Sequence, residues 1–423
     1  HKGIERVLSD IVKGINWFSH TKNWNYVNDL IIPLNDYFEN LCLYREGVKT
    51  FEKLLEKFAD DDQNLLCRAK ITCRIALFGL NIQQYENAAE MIHFGLDTAR
   101  KLELKNDEAY CLNALSTHAI KCKNASTAIE FALEALELSR LNQNTEEESH
   151  SLYNLGYAQV NLGEISAAEQ NLNACRLLCE KSENWQLLSK GLNVLADIAC
   201  YRGDYDLALT HYEQALLIVR SSKNLYSESL LLNNMGTAYL ELKNYLEAID
   251  YFSKSLDICR QIGDREGESI ALSNLGETAA YQKDFENAIF YNDQALAIAE
   301  EIESDWSILA ARIVLAEAYR EGSDILAAKN ELILLLNKSC EMEAMNFFHR
   351  GVVEACRLLI HTGNQEDLAS VLEVTMNAEG AEESTRLKAK KTRDKLTEKL
   401  TGKQQLDIQS IYSILKERLN QIS

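Results

Sequence analysis

The apolar and polar positions of this chain recur in blocks. Over Ser227–Leu242 and again over Tyr245 to about Arg260, apolar side chains return at helical spacing, and the polar step Lys243-Asn244 divides the two stretches. Short turns such as Gly203-Asp204 punctuate the chain in the same way. Shifting the sequence against itself by 40 positions lays Ala76, Ser116, Gly156, Ala196, Gly236, Gly276 and Ala316 in one column. Twelve positions on, Ala88, Ala128, Ala168, Ala208, Ala248, Ala288 and Ala328 form a second column, all alanine. Three positions before it stand Tyr85, Ala125, Ile165, Tyr205, Tyr245, Phe285 and Ile325. A fourth column holds Asn144, Asn184, Asn224, Asp264 and Ser304.

Each column has a mechanical meaning. A unit is two antiparallel helices, and small residues in the first two columns let them approach closely. A larger side chain at either place would push them apart. The aromatic or isoleucine column opens the second helix and packs into the pair. The Asn/Asp/Ser column falls where one second helix ends and the next unit begins, as residues that cap a helix start or accept left-handed backbone. Asn144 followed by Thr145-Glu-Glu-Glu148 has the form of a capping box. Seven such units run from Leu66 to about Asn337, so the predicted fold is all-α: a right-handed superhelical solenoid of antiparallel helix pairs.

The stretches Asn233-Asn-Met-Gly-Thr-Ala-Tyr239 with Asn244-Tyr-Leu-Glu-Ala248, and Ser273-Asn-Leu-Gly276 with Phe285-Glu-Asn-Ala288, resemble tetratricopeptide repeats (TPRs). The usual unit of that family has about 34 residues and often a proline near its end; here the step is 40 and that proline is missing. Gly263-Asp-Arg-Glu-Gly-Glu-Ser269 is similar to the long-repeat variety found in kinesin light chains and in the sensor arms of bacterial signal-transducing NTPases. The opening pattern Ile11-Val-Lys-Gly-Ile-Asn-Trp17, Trp24 to Leu34, Tyr37-Phe38 and Tyr44-Arg-Glu-Gly47 resembles the junction where a STAND-type NTPase passes from helical linker to repeat sensor. That resemblance implies a non-catalytic sensor arm, with a partner NTPase domain upstream of residue 1. The chain opens on His1-Lys2-Gly3 without methionine and contains no G-x-x-x-x-G-K-[ST] phosphate loop. The alternative is a free-standing adaptor that binds linear peptides, as kinesin light chains do.

The predicted organisation is residues 1–60 as degenerate N-terminal helices, 61–340 as the seven regular units, 341–379 as a degenerate helix pair, and 380–423 as polar basic helices. Ile4–Trp17 and Trp24–Tyr37 read as amphipathic helices, with Pro33 bending the second, and the stretch from Tyr44 through Phe51 and Leu54 reads as a second-type helix. Val353–His361 and Asp367–Thr375 read as an eighth, weaker pair. The tail run Arg386, Lys388, Lys390, Lys391, Arg393, Lys395 reads as a solvated helix face, with a flexible point near Gly402.

Composition narrows the function. The chain has 423 residues and a single proline, as an all-helical array would. Acidic residues outnumber basic ones 64 to 44, for a formal charge of −20, which argues against a nucleic-acid partner. The charge is uneven: residues 380–423 carry +4 and the rest −24. Eleven cysteines without a C-x-x-C pair read as free thiols in a reducing, cytoplasmic setting, and Cys175 and Cys179 as small buried residues rather than ligands. No apolar run approaches the roughly 20 residues of a membrane span, so no membrane partner is expected. There is no H-E-x-x-H, no G-x-S-x-G, no Cys/His metal spacing and no nucleotide loop, and the eight histidines are scattered. Neither an enzyme activity, nor a metal, nor a cofactor is expected.

A ligand would lie against the first helices, which line the concave side of such arrays. Asn113, Asn193 and Asn233 occupy one inward position, and Asn154, Asn234 and Asn274 the next. An amide offers donor and acceptor together, so a ladder of them can hold an extended peptide backbone. The same amides could instead bind neighbouring helices. Around them fall Tyr157, Asp197, Tyr201, Glu241, Glu277, Tyr281, Glu317, Arg320 and Glu321, which suit a protein or peptide with basic and apolar groups. Lys121, Lys190 and Arg320 are expected to stand too far apart to form one clamp for a carboxylate.

Overall fold

The computed structural model describes residues 13–14, 24–40, 43–58, 64–82, 87–362, 368–378, 381, 383–394, 396 and 408–422. Among them every regular element is α-helical, and there are two compact units, residues 1–231 and 232–423. Of the expected helix over Ile4–Trp17 only residues 13–14 are described, and they are helical; the rest of it and the point near Gly402 lie outside the described residues.

In the first unit α1 (Trp24–Asn40) and α2 (Tyr44–Leu55) precede four helix pairs. These are α3 (Leu65–Asn81) with α4 (Ala88–Lys101), α5 (Lys105–Lys121) with α6 (Ala125–Leu141), α7 (Thr145–Asn161) with α8 (Ile165–Ser182), and α9 (Trp185–Tyr201) with α10 (Tyr205–Ser221). The division at residues 231–232 falls within α11 (Leu225–Glu241). The second unit continues with α12 (Tyr245–Ile262), α13 (Arg265–Tyr281), α14 (Phe285–Glu301), α15 (Asp305–Glu321), α16 (Ile325–Glu341), α17 (Met345–His361) and α18 (Leu368–Asn377), and ends with α19 (Glu383–Arg393) and α20 (Ile408–Asn420).

The columns do what their residue types imply. All seven alanines of the second column are buried. They face the first column directly: Ser116 Oγ donates to the Ala128 carbonyl at 2.8 Å. A Cβ on Gly156 would lie 3.2 Å from the Ala168 carbonyl, and one on Gly276 3.1 Å from that of Ala288. Six second helices begin on the third column: α6 on Ala125, α8 on Ile165, α10 on Tyr205, α12 on Tyr245, α14 on Phe285 and α16 on Ile325. Tyr85 lies outside the described residues. In the fourth column Asn144, Asn184, Asn224 and Asp264 each accept the backbone N–H three residues on, at 3.0–3.2 Å. Ser304 departs from this, since its hydroxyl donates to Ser307 Oγ at 3.0 Å. The capping box at Asn144 is half made, because the Glu147 side chain turns to Asn113.

Two further periodicities emerge. From Glu103 to Glu343 a residue with positive φ closes each turn at steps of 20, and only Gly163, Gly203 and Gly263 among these are glycine. The residue after each such position donates back to a helix-end carbonyl, as Asn124 N does to Ala119 O at 2.9 Å and Asp264 N to Cys259 O at 2.9 Å. The 40-residue unit is therefore two mechanically equivalent halves. Arg100, Arg140, Arg220 and Arg260 also reach forward eight residues through Nε to Glu108, Glu148, Glu228 and Glu268 at 2.8–2.9 Å, tying a second helix to the first helix after it.

The ends are more closely packed than their patterns suggest. Phe38, Phe51 and Phe78 are fully buried, with edge-to-face contacts at 6.2 Å from Phe38 to each of the others. Gly47 admits Phe78: a Cβ there would lie 2.5 Å from that ring. At the other end Cys356 and Leu368 take the places of the small columns and are fully buried, so the eighth pair keeps its core with larger residues. Ala389, Ile411, Leu415 and Leu419 are fully buried in the same core as Phe348 and Val352. The basic tail thus departs from a wholly solvated face. Lys390 and Lys391 are exposed, but Thr385, Ala389 and Thr392 are buried, and Lys329 Nζ donates to the Ile422 carbonyl at 2.9 Å.

Candidate binding site

In each unit successive first helices pack on one another: α3, α5, α7 and α9 in the first, and α13, α15 and α17 in the second. Successive second helices stand farther apart. The first helices therefore form the inner side of each stack, and every residue singled out from the sequence lies on one of them.

The first unit carries Asn113, Asn154, Tyr157, Asn193, Asp197 and Tyr201. Asn113 is buried, and its amide donates to the Glu147 carbonyl at 3.0 Å and to Glu147 Oε2 at 2.8 Å while accepting from Ser151 Oγ at 2.9 Å. Asn154 is also buried and donates to the Asn113 carbonyl at 3.0 Å. These two amides join α5 to α7, so they bind neighbouring helices and do not present a ladder toward a ligand. Burial pushes the Glu147 carboxyl up to about 7, against the opposing bond from Asn113. Tyr157 is half-buried beside Tyr153, with ring centroids 6.1 Å apart. Asp197 accepts from the Tyr212 hydroxyl at 2.6 Å; burial of its carboxylate raises its pKa against that bond, although the residue as a whole is exposed. Asn193 reaches Asp197 at 3.5 Å, and Tyr201 is 77% exposed.

One contact was not legible in the sequence. Gln186 Nε2 at the start of α9 donates to the Glu39 carbonyl at the end of α1, at 3.2 Å. The N-terminal helices therefore reach across to α9 as well as stacking at the end of the array. Burial, and then Lys190, hold the Lys121 ammonium below the usual lysine range.

The second unit carries Asn233, Asn234, Glu241, Asn274, Glu277, Tyr281, Glu317 and Arg320. Asn274 donates to Asn233 Oδ1 at 2.8 Å, joining α13 to α11. Asn234 is half-buried and Glu241 exposed. Tyr281 stacks on Tyr245 with centroids 6.5 Å apart and stays 49% exposed; burial, then Glu277 and Glu241, push its hydroxyl up to about 12. Leu230 on α11, in the first unit, and Ile270 on α13, in the second, expose apolar surface.

Toward the end of this stack the side chains form an ion-pair network. Arg320 meets Glu354 at 3.1 Å and Glu321 at 2.9 Å. Arg357 meets Glu354 at 2.7 Å, Glu321 at 3.1 Å and Glu317 at 3.3 Å, and Arg350 meets Glu277 at 3.4 Å. Burial disfavours the charged Glu317, but Lys388, Arg357 and Arg320 outweigh it and hold its pKa low. Arg320 and Glu317 are thus committed to α17 and α19. Arg350, Glu354 and Arg357 were missed because the eighth pair lacks the small columns that mark the others, and Lys388, read from the sequence as part of a solvated face, lies 3.8 Å from Glu317. Among the described residues no group of three His, Cys, Asp or Glu side chains could hold a metal ion, and no helix is long and apolar enough to cross a membrane.

Comparison with known proteins agrees with this geometry. Family models for the tetratricopeptide repeat match residues 149–178 and 226–301. A search of curated protein sequences gives no match. Among solved structures, the apo quorum sensor NprR from B. thuringiensis aligns at TM-score 0.58 and 13% identity, over 88% of this chain and 99% of that one. A Rap protein in complex with competence and sporulation factor aligns at 0.55 and 16% identity, over 81% and 99%. The STAND protein with a tetratricopeptide repeat sensor from Pyrococcus horikoshii aligns at 0.55 and 15% identity, over 82% of this chain and 53% of that one. This chain spans about half the length of that last protein. At such identities the likeness is one of fold, and fold and family models agree: the chain carries tetratricopeptide repeats, arranged in each unit as a stack of antiparallel helix pairs.

Proposed function

We propose that this chain is a non-catalytic binding module that takes a protein or peptide on the inner, first-helix side of its repeats, and that it serves as the sensor arm of a STAND-type NTPase. The observation that carries the binding part is the gathering of exposed aromatic, apolar and acidic groups on that side. In the second unit these are Ile270, Tyr281 and Glu241, presented by a rigid helical wall. Aromatic faces beside carboxylates suit basic and apolar side chains. Two aligned structures are named as a quorum sensor and as a Rap protein bound to a factor, and a third as a STAND protein with a repeat sensor. They support the sensor reading by analogy of fold alone.

Binding is tested by placing a photo-crosslinking residue at Tyr281 on the inner side or at Phe290 on a second helix, both exposed, and identifying the cross-linked partners in lysate. Specific partners from position 281 and none from 290 are expected; equal capture at both would overturn the reading. The relay part predicts that the natural gene encodes a phosphate-binding loop upstream and in frame. A gene without one would leave the peptide-binding adaptor.

A further inference from the structure

Between α8 and α10, two successive second helices of the first unit, lies a cavity of about 160 Å3, on the side away from the inner face. Its floor is α9, where Leu195, Ile198 and Ala199 are buried. Glu169 from α8, with Arg202 and Asp204 from the turn after α9, stand partly exposed at its opening. Leu207 and His211 of α10 form the far wall.

In the repeat frame Ala199 and His211 occupy the places of Gln159 and Asn171 one unit earlier and of Tyr239 and Tyr251 one unit later. Those pairs close the space between their helices, the amides by a hydrogen bond of 2.8 Å and the tyrosines by stacking with centroids 5.2 Å apart. Ala199 is too short to reach across, and a cavity remains. The charged groups are as local. Glu169 stands where other units have Ile129, Leu209, Ile249 and Ile289, and Arg202 where they have Leu162 and Leu242. The two meet at 2.8 Å, but so exposed a pair adds little stability. His211 Nδ1 is buried and bonds to nothing among the described residues, a cost that packing alone does not explain. Burial, then Arg176, lower the pKa of that ring against the pull of Glu169, so it is neutral near pH 7. Arg176 itself is paired with Glu180 at 3.1 Å.

The opening therefore carries one cation, Arg202, beside two carboxylates, Glu169 and Asp204. A plain anion would be repelled by the carboxylates and a plain cation by the guanidinium, whereas a zwitterion answers both. The volume is close to the roughly 150 Å3 that admits a benzene-sized molecule, and well below the pockets of drug-sized ligands. We propose that this cavity binds a free α-amino acid with a small branched apolar side chain, of the size of valine or leucine. Its carboxylate meets Arg202, its ammonium meets Glu169 and Asp204, and its side chain lies on Leu195, Ile198 and Leu207. The site is separate from the inner side and adds a small-molecule input to a chain proposed to bind protein or peptide on its other face.

The test is isothermal titration calorimetry of the full chain with L-valine and L-leucine, beside isovalerate and isobutylamine, which each keep one of the two charges. At least one of the two amino acids is expected to bind, about tenfold tighter or more than either singly charged analogue. Glu169→Ile and Arg202→Leu install residues that other units carry at those places, and each should weaken binding about tenfold or more. Lys283→Ala should leave it unchanged. Ala199→Tyr with His211→Tyr installs the tyrosine pair of the next unit, fills the cavity and should abolish binding. Should that double variant fail to fold, the two substitutions at the opening decide alone. The site is overturned if neither amino acid binds, if isovalerate or isobutylamine binds as tightly as the amino acid, or if binding survives Glu169→Ile with Arg202→Leu. It is overturned equally if a folded Ala199→Tyr, His211→Tyr variant binds like the original chain. None of these results bears on the inner side, which the cross-linking at position 281 tests by itself.

Discussion

A Cβ added to Gly236 would lie 2.6 Å from the ring of Phe252, which is fully buried. Gly236→Ala should therefore cost about 1–3 kcal/mol, read as a lower midpoint in urea. Gly191 sits inside α9 with nothing within 4 Å of a new Cβ, so Gly191→Ala should raise the midpoint by about 0.5–1 kcal/mol. Glu147 gives a pH prediction. Its buried carboxyl keeps a proton up to about 7 in the folded chain, whereas an unfolded glutamate loses it near about 4.3. Between those values the folded state binds more protons, so this group's contribution to stability falls as pH rises and is lost through about 7. Glu147→Gln should flatten the fall in melting temperature across that window, and an unchanged slope would refute the assignment. At this scale the sequence was legible where size alone decides, as for Gly236 or Ala168. It was ambiguous where direction decides: an asparagine can bond a ligand or the next helix, and Asn113 and Asn154 bond the next helix.

At the scale of the element, each helix is defined by its two ends. Lys243 closes α11 at φ 62 and Lys283 closes α13 at φ 64, where a side chain costs roughly 1–2 kcal/mol. Glycine has no such cost but loses more chain entropy. Lys243→Gly and Lys283→Gly should each stabilise by about 0.5–1 kcal/mol, read as additive gains in melting temperature. The reverse change, Gly263→Ala, at φ 73, should destabilise. The start signals were readable because Asn and Asp caps act through their own side chains. The stops were not, since lysine, glutamate and glutamine hold most of the left-handed positions and carry no signature of that conformation. The Arg-to-Glu ties also escaped notice, because their acidic partners stand among many similar residues. Half-exposed as they are, they fix register more than they add stability.

At the scale of the whole molecule, regular repeats are flanked by irregular ends, and the ends hold much of the large apolar core. Removing residues 381–423 would strip Ala389, Ile411, Leu415 and Leu419 from a core that includes Phe348 and Val352. A chain ending at residue 380 should melt earlier and bind a hydrophobic dye, whereas unchanged melting would mean that the tail is dispensable. The columns fade where Cys356 and Leu368 replace small residues, so the weakest part of the sequence pattern lies over a dense core. The evenly spaced left-handed turns have one more consequence. Excising residues 265–304 would set Asp264 before α15, where Ser304 now stands, so that α15 would exchange one capping residue for another and α12 would keep Gly263 as its terminator. Deletions and duplications that respect this module length amount to swapping whole cassettes, so the gene can change the number of docking faces without redesigning any joint.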